Sequence, residues 1–420
     1  MEFYRENPKA GVVCNYGYAD HFKSSFLSVD LALPLTAENA TGMSLLCGVI
    51  SRGSRAFPSM DRISRYLAKY YGASLSIRAS KSGEMEFLSF SVSYLDNCYA
   101  IDGEDICGAM SCLLQDLIFE PLLENGAFSV DYVAQEKQNL SDRILGVFND
   151  KRLYSLERCK ELMFANEAYS VGEMGDRETL QRFDAKKLYD FYQRVLNESY
   201  VVVTYVGKKG VNSAKALAER FTAREDAMPV TVICNEVDAV REVVEPMELN
   251  QSKLNLGFRL GSVAQANPVA CRLFNVLYGG SASSKLFMNV RERLSLCYYC
   301  SSQVDRFKNV MLVSSGIEAS KYEEARKEIE AQLAAVASGD FSDAELEDAK
   351  MYLIDTFYGM IDSKSMLASQ MISGVFRNEM KTPEQEAEEV KAIDRELIMR
   401  IAKEISLDTV YFLKGVQSEE

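Results

Sequence analysis

A single histidine, His21, limits the chemistry of this 420-residue chain more than any motif does. Metal centres need several converging ligands, so no site requiring two histidines can be assembled from it. Ten cysteines are scattered along the sequence, with close spacings only at Cys297 and Cys300 in CYYC and at Cys107 and Cys112. A zinc ribbon wants two C-x-x-C pairs and a thioredoxin-like dithiol wants a strand-to-helix turn, and neither context surrounds these residues. Ser44 and Cys47, inside TGMSLLCGVISRGS (41–54), carry nucleophilic atoms. Either would need a nearby base, and His21 is the one imidazole available. Arg291 and Tyr298, seven positions apart in LFMNVRERLSLCYY (286–299), offer a cation and a phenol. On spacing alone that pair means little.

The elements that must position these residues alternate between two periods. FLSVDLALPL (26–35) puts Leu27, Val29, Leu31 and Leu33 on one face at period two, a half-buried strand. SMDRISRYLAKYYGASL (59–75) places Met60, Ile63, Leu67 and Tyr70 at helical spacing, with Gly72 as a C-terminal stop. MEFLSFSVSYL (85–95) alternates again, helical stretches fill roughly 105–195, and ESYVVVTYVG (198–207) reads as a strand buried on both faces. The second half repeats the order: a strand at 253–261, a helix at 267–281 ending in glycines, and a strand at 309–317. Capping boxes are expected at Ser320 with Glu323 and at Ser342 with Glu345. Asp184 and Asp394, 210 positions apart, each open an Asp-capped helix followed by a short turn and a terminal strand. This echo predicts a duplication, with domains at 1–225 and 245–420 and a linker at 224–250 flanked by Pro229 and Pro246.

A chain of 47 Lys+Arg against 61 Asp+Glu has a net charge of −14, which suits neither phosphate backbones nor anionic membranes. No segment reads as a signal peptide or a membrane span. A cytoplasmic location with reduced cysteines is expected.

Two similar halves, each opening with strand, helix and a glycine turn, resemble the pitrilysin/insulinase family of zinc peptidases, in particular half-size members such as the mitochondrial processing peptidase subunits. The resemblance covers nearly the whole chain. It implies an α+β fold of two homologous domains, each a mainly antiparallel sheet packed against helices. Active members carry H-x-x-E-H on a helix, two histidines gripping zinc and a Glu activating water. That window falls on SLLCG, followed by SRGS, so the ligand and base positions become Ser44, Cys47 and Gly48. A distal helix supplies a further ligand Glu in the family, and in EKQNLSDRI (136–144) that position is Arg143. All four positions are lost.

The second half keeps more. Arg291 and Tyr298 match the family's Arg and Tyr, which face the zinc across the cleft, hydrogen-bond the substrate backbone and steady the developing oxyanion. Tyr299 is the alternative if the register slips by one. Gly279, Gly280 and Ser281, in YGGSASS (278–284), resemble the glycine-rich loop that touches substrate in non-catalytic processing-peptidase subunits, although a tight helix-ending turn explains the glycines equally well.

The resemblance implies a non-catalytic subunit of a two-chain zinc peptidase, binding no metal itself. It would form a heterodimer with a related chain that retains H-x-x-E-H and brings the zinc, around an extended peptide substrate. Its alternative is a stand-alone peptide-binding or scaffold protein of the same fold.

Overall fold

Period-two alternation builds two sheets. The computed structural model describes residues 1–209, 213–224 and 228–416. In the first sheet the strands are β1 (Glu2–Lys9), β2 (Val12–Tyr18), β3 (Ser24–Pro34), β4 (Ser74–Ser82), β5 (Met85–Leu95) and β6 (Tyr200–Gly207), in spatial order β1-β2-β6-β3-β5-β4. β2 and β6 run parallel and the other neighbours antiparallel. As its pattern predicts, β3 turns Leu27, Val29, Leu31 and Leu33 into a core shared with Leu46, Leu113, Leu114 and Phe191 of the helices Ala37–Ser51, Ile106–Phe119 and Ala185–Glu198.

The second sheet contains β7 (Arg241–Glu248), β8 (Ser252–Arg259), β9 (Cys297–Asp305), β10 (Val310–Ile317) and β11 (Ser406–Val416), in order β7-β11-β8-β10-β9. Here β7 and β11 are the parallel pair. The series β2-β6-β3-β5-β4 and β7-β11-β8-β10-β9 therefore have one topology, each with a closing strand between a parallel and an antiparallel neighbour. Asp184 and Asp394 cap the helices before those closing strands, accepting from the N–H groups of Lys187 and Leu397. The fold is α+β, with two mainly antiparallel sheets covered by helices.

Three expectations need correction. The expected linker 224–250 contains β7, an edge strand in which Pro246 pairs opposite Lys414; a proline is tolerated there because the strand has one hydrogen-bonded neighbour. Residues 225–227 of that linker lie outside the described residues. Ser320 is no cap: Glu318 and Lys321 close a 3₁₀ turn over 319–321, and the helix begins at Tyr322 with Lys321 at its N-cap. Ser342 does form its box, exchanging bonds with Glu345 through both backbone and side chain.

The compact units also differ from the expected 1–225 and 245–420. One comprises Met1–Leu145, Val171–Val230 and Met360–Thr382, and the other Gly146–Ser170, Thr231–Gly359 and Pro383–Glu420. In the first, the helix Lys364–Phe376 sets Leu367, Ala368 and Met371 against Val206 of β6. In the second, the helix Lys151–Met163 sets Cys159 and Met163 against Val310, Leu312, Tyr411 and Leu413.

Candidate functional site

The helix Ala37–Ser51 starts where Thr36 accepts a hydrogen bond from the Asn39 N–H. Its buried stripe includes Ser44, whose side chain is closed off from solvent. One turn on, Gly48 leaves room for a neighbour: a Cβ there would sit 2.4 Å from Glu136 Oε2. Glu136 comes from the helix Val130–Gly146 and is held by Arg52, whose Nε lies 2.8 Å from Glu136 Oε1. The space beside Gly48 is thus filled by an ion pair. Arg143 lies exposed on the Glu136 helix, and its charge reaches Cys47. Burial nevertheless dominates at Cys47 and pushes its thiol up to about 12, against the pull of Arg143.

The structure therefore brings Ser44, Cys47, Gly48 and Arg143 into one neighbourhood, and that neighbourhood does not fit zinc. It offers a hydroxyl, a protonated thiol, a residue with no side chain and a cation. Among the described residues no group of three potential metal-binding side chains converges anywhere.

Sequence reasoning missed Glu86. It lies on β5 with 0% exposure, and neither of its carboxyl oxygens has a hydrogen-bond partner. Desolvation, and to a lesser extent Glu173, raise its pKa to about 9, and its field also acts on Cys47. The signal was in the strand pattern, because Glu86 is in phase with Leu88, Phe90 and Val92, which all face the core.

In the second unit, the helix Pro268–Asn275 continues as a π-helical turn over Val276–Gly280, and a second π-helical stretch spans Leu286–Arg293. The chain then folds back sharply. Ser295 takes φ +49, its N–H bonds Arg291 O at 3.1 Å, and the Leu296 N–H bonds Val290 O at 3.0 Å. β9 begins at once. Arg291, half exposed, lies over the Phe287 ring at 4.6 Å with its Nε 3.5 Å from Glu292 Oε1. Against β10, Tyr299 pairs with Gly316 and Cys297 with Ile317, so a bulge leaves Tyr298 unpaired and turned outward at 63% exposure. Tyr299 faces the other way, with its ring under Arg152 at 4.3 Å. No hydrogen bond joins Arg291 to Tyr298 among the described residues.

Close packing accounts for the two glycines. A Cβ on Gly279 would meet Ser302 Oγ at 2.5 Å, and one on Gly280 would meet Asn275 Nδ2 at 2.6 Å. Neither has the positive φ of a helix-ending glycine. Ser281 returns its hydroxyl to Val276 O. His21 places Nε2 3.1 Å from Ile361 O.

Known proteins share this architecture. Residues 182–353 match the family described as the peptidase M16 inactive domain. The chain is 30% identical over 418 residues to the probable inactive metalloprotease YmfF of Bacillus subtilis (strain 168), covering 97% of this chain and 96% of that protein. The crystal structure of a conserved protein from Enterococcus faecalis V583 superimposes with a TM-score of 0.92 at 26% identity, over the full length of both chains. That of a peptidase M16 inactive domain from Pseudomonas fluorescens gives a TM-score of 0.78 at 15% identity, again over both full lengths.

Proposed function

This chain belongs to the M16, or pitrilysin/insulinase, family of metallopeptidases and is an inactive-type member of it, and from that premise we propose that it is the non-catalytic subunit of a two-chain zinc peptidase. A related chain retaining H-x-x-E-H would supply the zinc and the general base. This chain would supply Arg291 and Tyr298, whose guanidinium and phenol groups donate hydrogen bonds to the carbonyl oxygen of an extended peptide. Gly279, Gly280 and Ser281 would border the peptide path.

The observation that carries this reading is the exposure of Tyr298. A bulge takes its ring out of the strand pairing and into solvent, directly after a tight turn that fixes the backbone of Arg291. Bulges re-aim side chains and recur next to active sites. A purely scaffolding subunit of the same fold has no use for that arrangement.

Purifying the full chain without a tag from its native cell, with whatever binds it, tests the proposal. A zinc-bearing relative should copurify, and peptide cleavage by that relative should depend on this chain. The isolated chain should hold no stoichiometric zinc by metal analysis. Cleavage by the relative alone at the same rate would leave the scaffold reading in its place.

A further inference from the structure

A sheet face packed under a helix should be apolar or fully hydrogen-bonded. The face of the second sheet beneath Lys151–Met163 is neither along one stripe. Asn255 of β8, Ser314 of β10 and Tyr299 of β9 lie on that face, and Asn255 spends its amide N–H on Ser155 Oγ at 3.0 Å. Its carbonyl oxygen is buried without a hydrogen-bond partner, and the buried Ser314 and Tyr299 hydroxyls have no polar neighbour beyond each other. Ser314 is 8% exposed and stands opposite Ser301 across the ladder. The equivalent face of the first sheet differs. There Asp30 accepts from Ser28 Oγ at 2.8 Å and from Ser89 Oγ at 2.5 Å, so the buried polar group is satisfied.

Ser314 lines a cavity of about 280 Å³ between the start of that helix and strands β9 and β10. The helix lines it with Leu153, Leu156 and Arg152, and the strands with Leu312, Ser301, Gln303 and Ser314, so an aliphatic lining and a set of donors share the cavity. The Arg152 guanidinium lies across the Tyr299 ring, with the Lys253 ammonium on the same ring at 5.8 Å. Desolvation and the neighbouring Arg152 charge lower the pKa of Lys253, so a bound anion would relieve that crowding of cations. Asp150 is the opposing charge at the rim, and its carboxylate is committed to capping the helix through the Arg152 and Leu153 N–H groups. The volume falls just below the usual range for ligand sites, about 300–1,000 Å³, which suits a fragment-sized group.

We propose that this cavity binds a carboxylate attached to a short aliphatic chain, whether the C-terminal residue of an apolar-ended peptide or a free branched acid. The carboxylate would sit against Arg152 and the Ser301 and Ser314 hydroxyls, and the aliphatic part against the three leucines. The inference stands apart from the Arg291–Tyr298 reading, and its failure leaves that reading untouched.

Calorimetric titration of the full chain with N-acetyl-leucine, N-acetyl-leucinamide, isovalerate and inorganic phosphate tests it. N-acetyl-leucine should bind at least about tenfold more tightly than its amide, because the amide forfeits the charge-assisted bonds. Comparable binding of isovalerate would support the same site with a free acid as its ligand. Arg152→Met should weaken the acid about tenfold. Ser314→Ala should also weaken it while changing Tm little, since the buried hydroxyl has no polar neighbour beyond the Tyr299 hydroxyl. Equal binding of acid and amide, phosphate binding as tightly as the acids, or native affinity in Ser314→Ala would each overturn the proposal.

Discussion

The turn carrying Ser44, Cys47 and Gly48 and the turn carrying Arg291 and Tyr298 were both singled out by resemblance to the family's motifs, and their surroundings differ in opposite ways. At the first, the side chains are absorbed into packing: Ser44 is buried, Cys47 is desolvated, and the space beside Gly48 holds the Glu136–Arg52 pair. At the second, a phenol is held out in water by a bulge that sheet stability alone does not demand. The helix at the first turn is kept because its buried stripe builds the core. The residues at the second bury too little to be kept for the core. The difference teaches that packing alone accounts for the first turn, whereas an exposed pair needs another reason.

Substituting that exposed pair produces the largest expected effect. Tyr298→Phe and Arg291→Ala should each lower kcat of the reconstituted two-chain peptidase by about 10²–10³-fold, the usual cost of losing one oxyanion donor. Association, followed by gel filtration, should hold, and KM should change little because the lost bonds matter mostly in the transition state. Tyr299→Phe should leave kcat unchanged, since that ring faces the opposite side of β9. Full activity in both the Tyr298 and Arg291 variants would erase the contrast between the two turns.

At the absorbed turn, stability takes the place of activity as the readout. Gly48→Ala should destabilise the chain by about 1–3 kcal/mol, an overpacking cost, because the new methyl displaces a carboxylate already tied to Arg52. Thermal unfolding measures it. Glu136→Ala in the same chain should recover part of the loss, since neighbouring substitutions couple. A Gly48→Ala variant as stable as the native chain would mean the space was never filled.

Much of this was legible beforehand, for reasons that differ by element. Leu27, Val29, Leu31 and Leu33 announced β3, and Asp184 and Asp394 announced the matched closing helices, because period and cap are local properties. The linker was misread because Pro246 suggested irregular chain, while an edge strand with one neighbour accepts a proline. No local pattern says which sheet a helix covers, so the segments Gly146–Ser170 and Met360–Thr382 could not be assigned to units in advance. The outward Tyr298 depends on a bulge against β10, a partner distant in sequence. Glu86 was visible as an acid in phase with an apolar face, yet its isolation follows from tertiary packing.

Glu86 adds a pH-dependent test of the absorbed turn. Its folded pKa, about 9, lies above the ordinary value of 4.5, so the folded state holds the proton more tightly than the unfolded one. Stability should therefore decline as pH rises from about 4.5 to about 9, as the buried carboxyl is forced to ionise. Glu86→Gln should remove that decline, matching the native chain near pH 5 and exceeding it in Tm by pH 8.5. Parallel stability profiles for the two proteins would contradict the dry environment assigned to this site.

The gentlest comparison uses one probe in both turns, because each contains a cysteine. Burial raises the Cys47 thiol to about 12, so at pH 8 only about one molecule in ten thousand carries the thiolate. At Cys297, hydrogen bonding with the Cys300 thiol, then with Ser315, and last the Arg291 charge lower the pKa despite burial. Iodoacetamide attacks the thiolate, so the order of labelling should be the exposed Cys98, Cys112 and Cys234 first, Cys297 next and Cys47 last. Mass spectrometry of timed samples reads that order without perturbing the fold. Alkylation of Cys297, adjacent to Tyr298, should reduce cleavage by the assembled pair. Cys47→Ala should leave cleavage unchanged, since a thiol held protonated among packed side chains supplies neither a ligand nor a nucleophile. Rapid labelling of Cys47 ahead of Cys297 would reverse the assignment of which turn is closed and which remains open to chemistry.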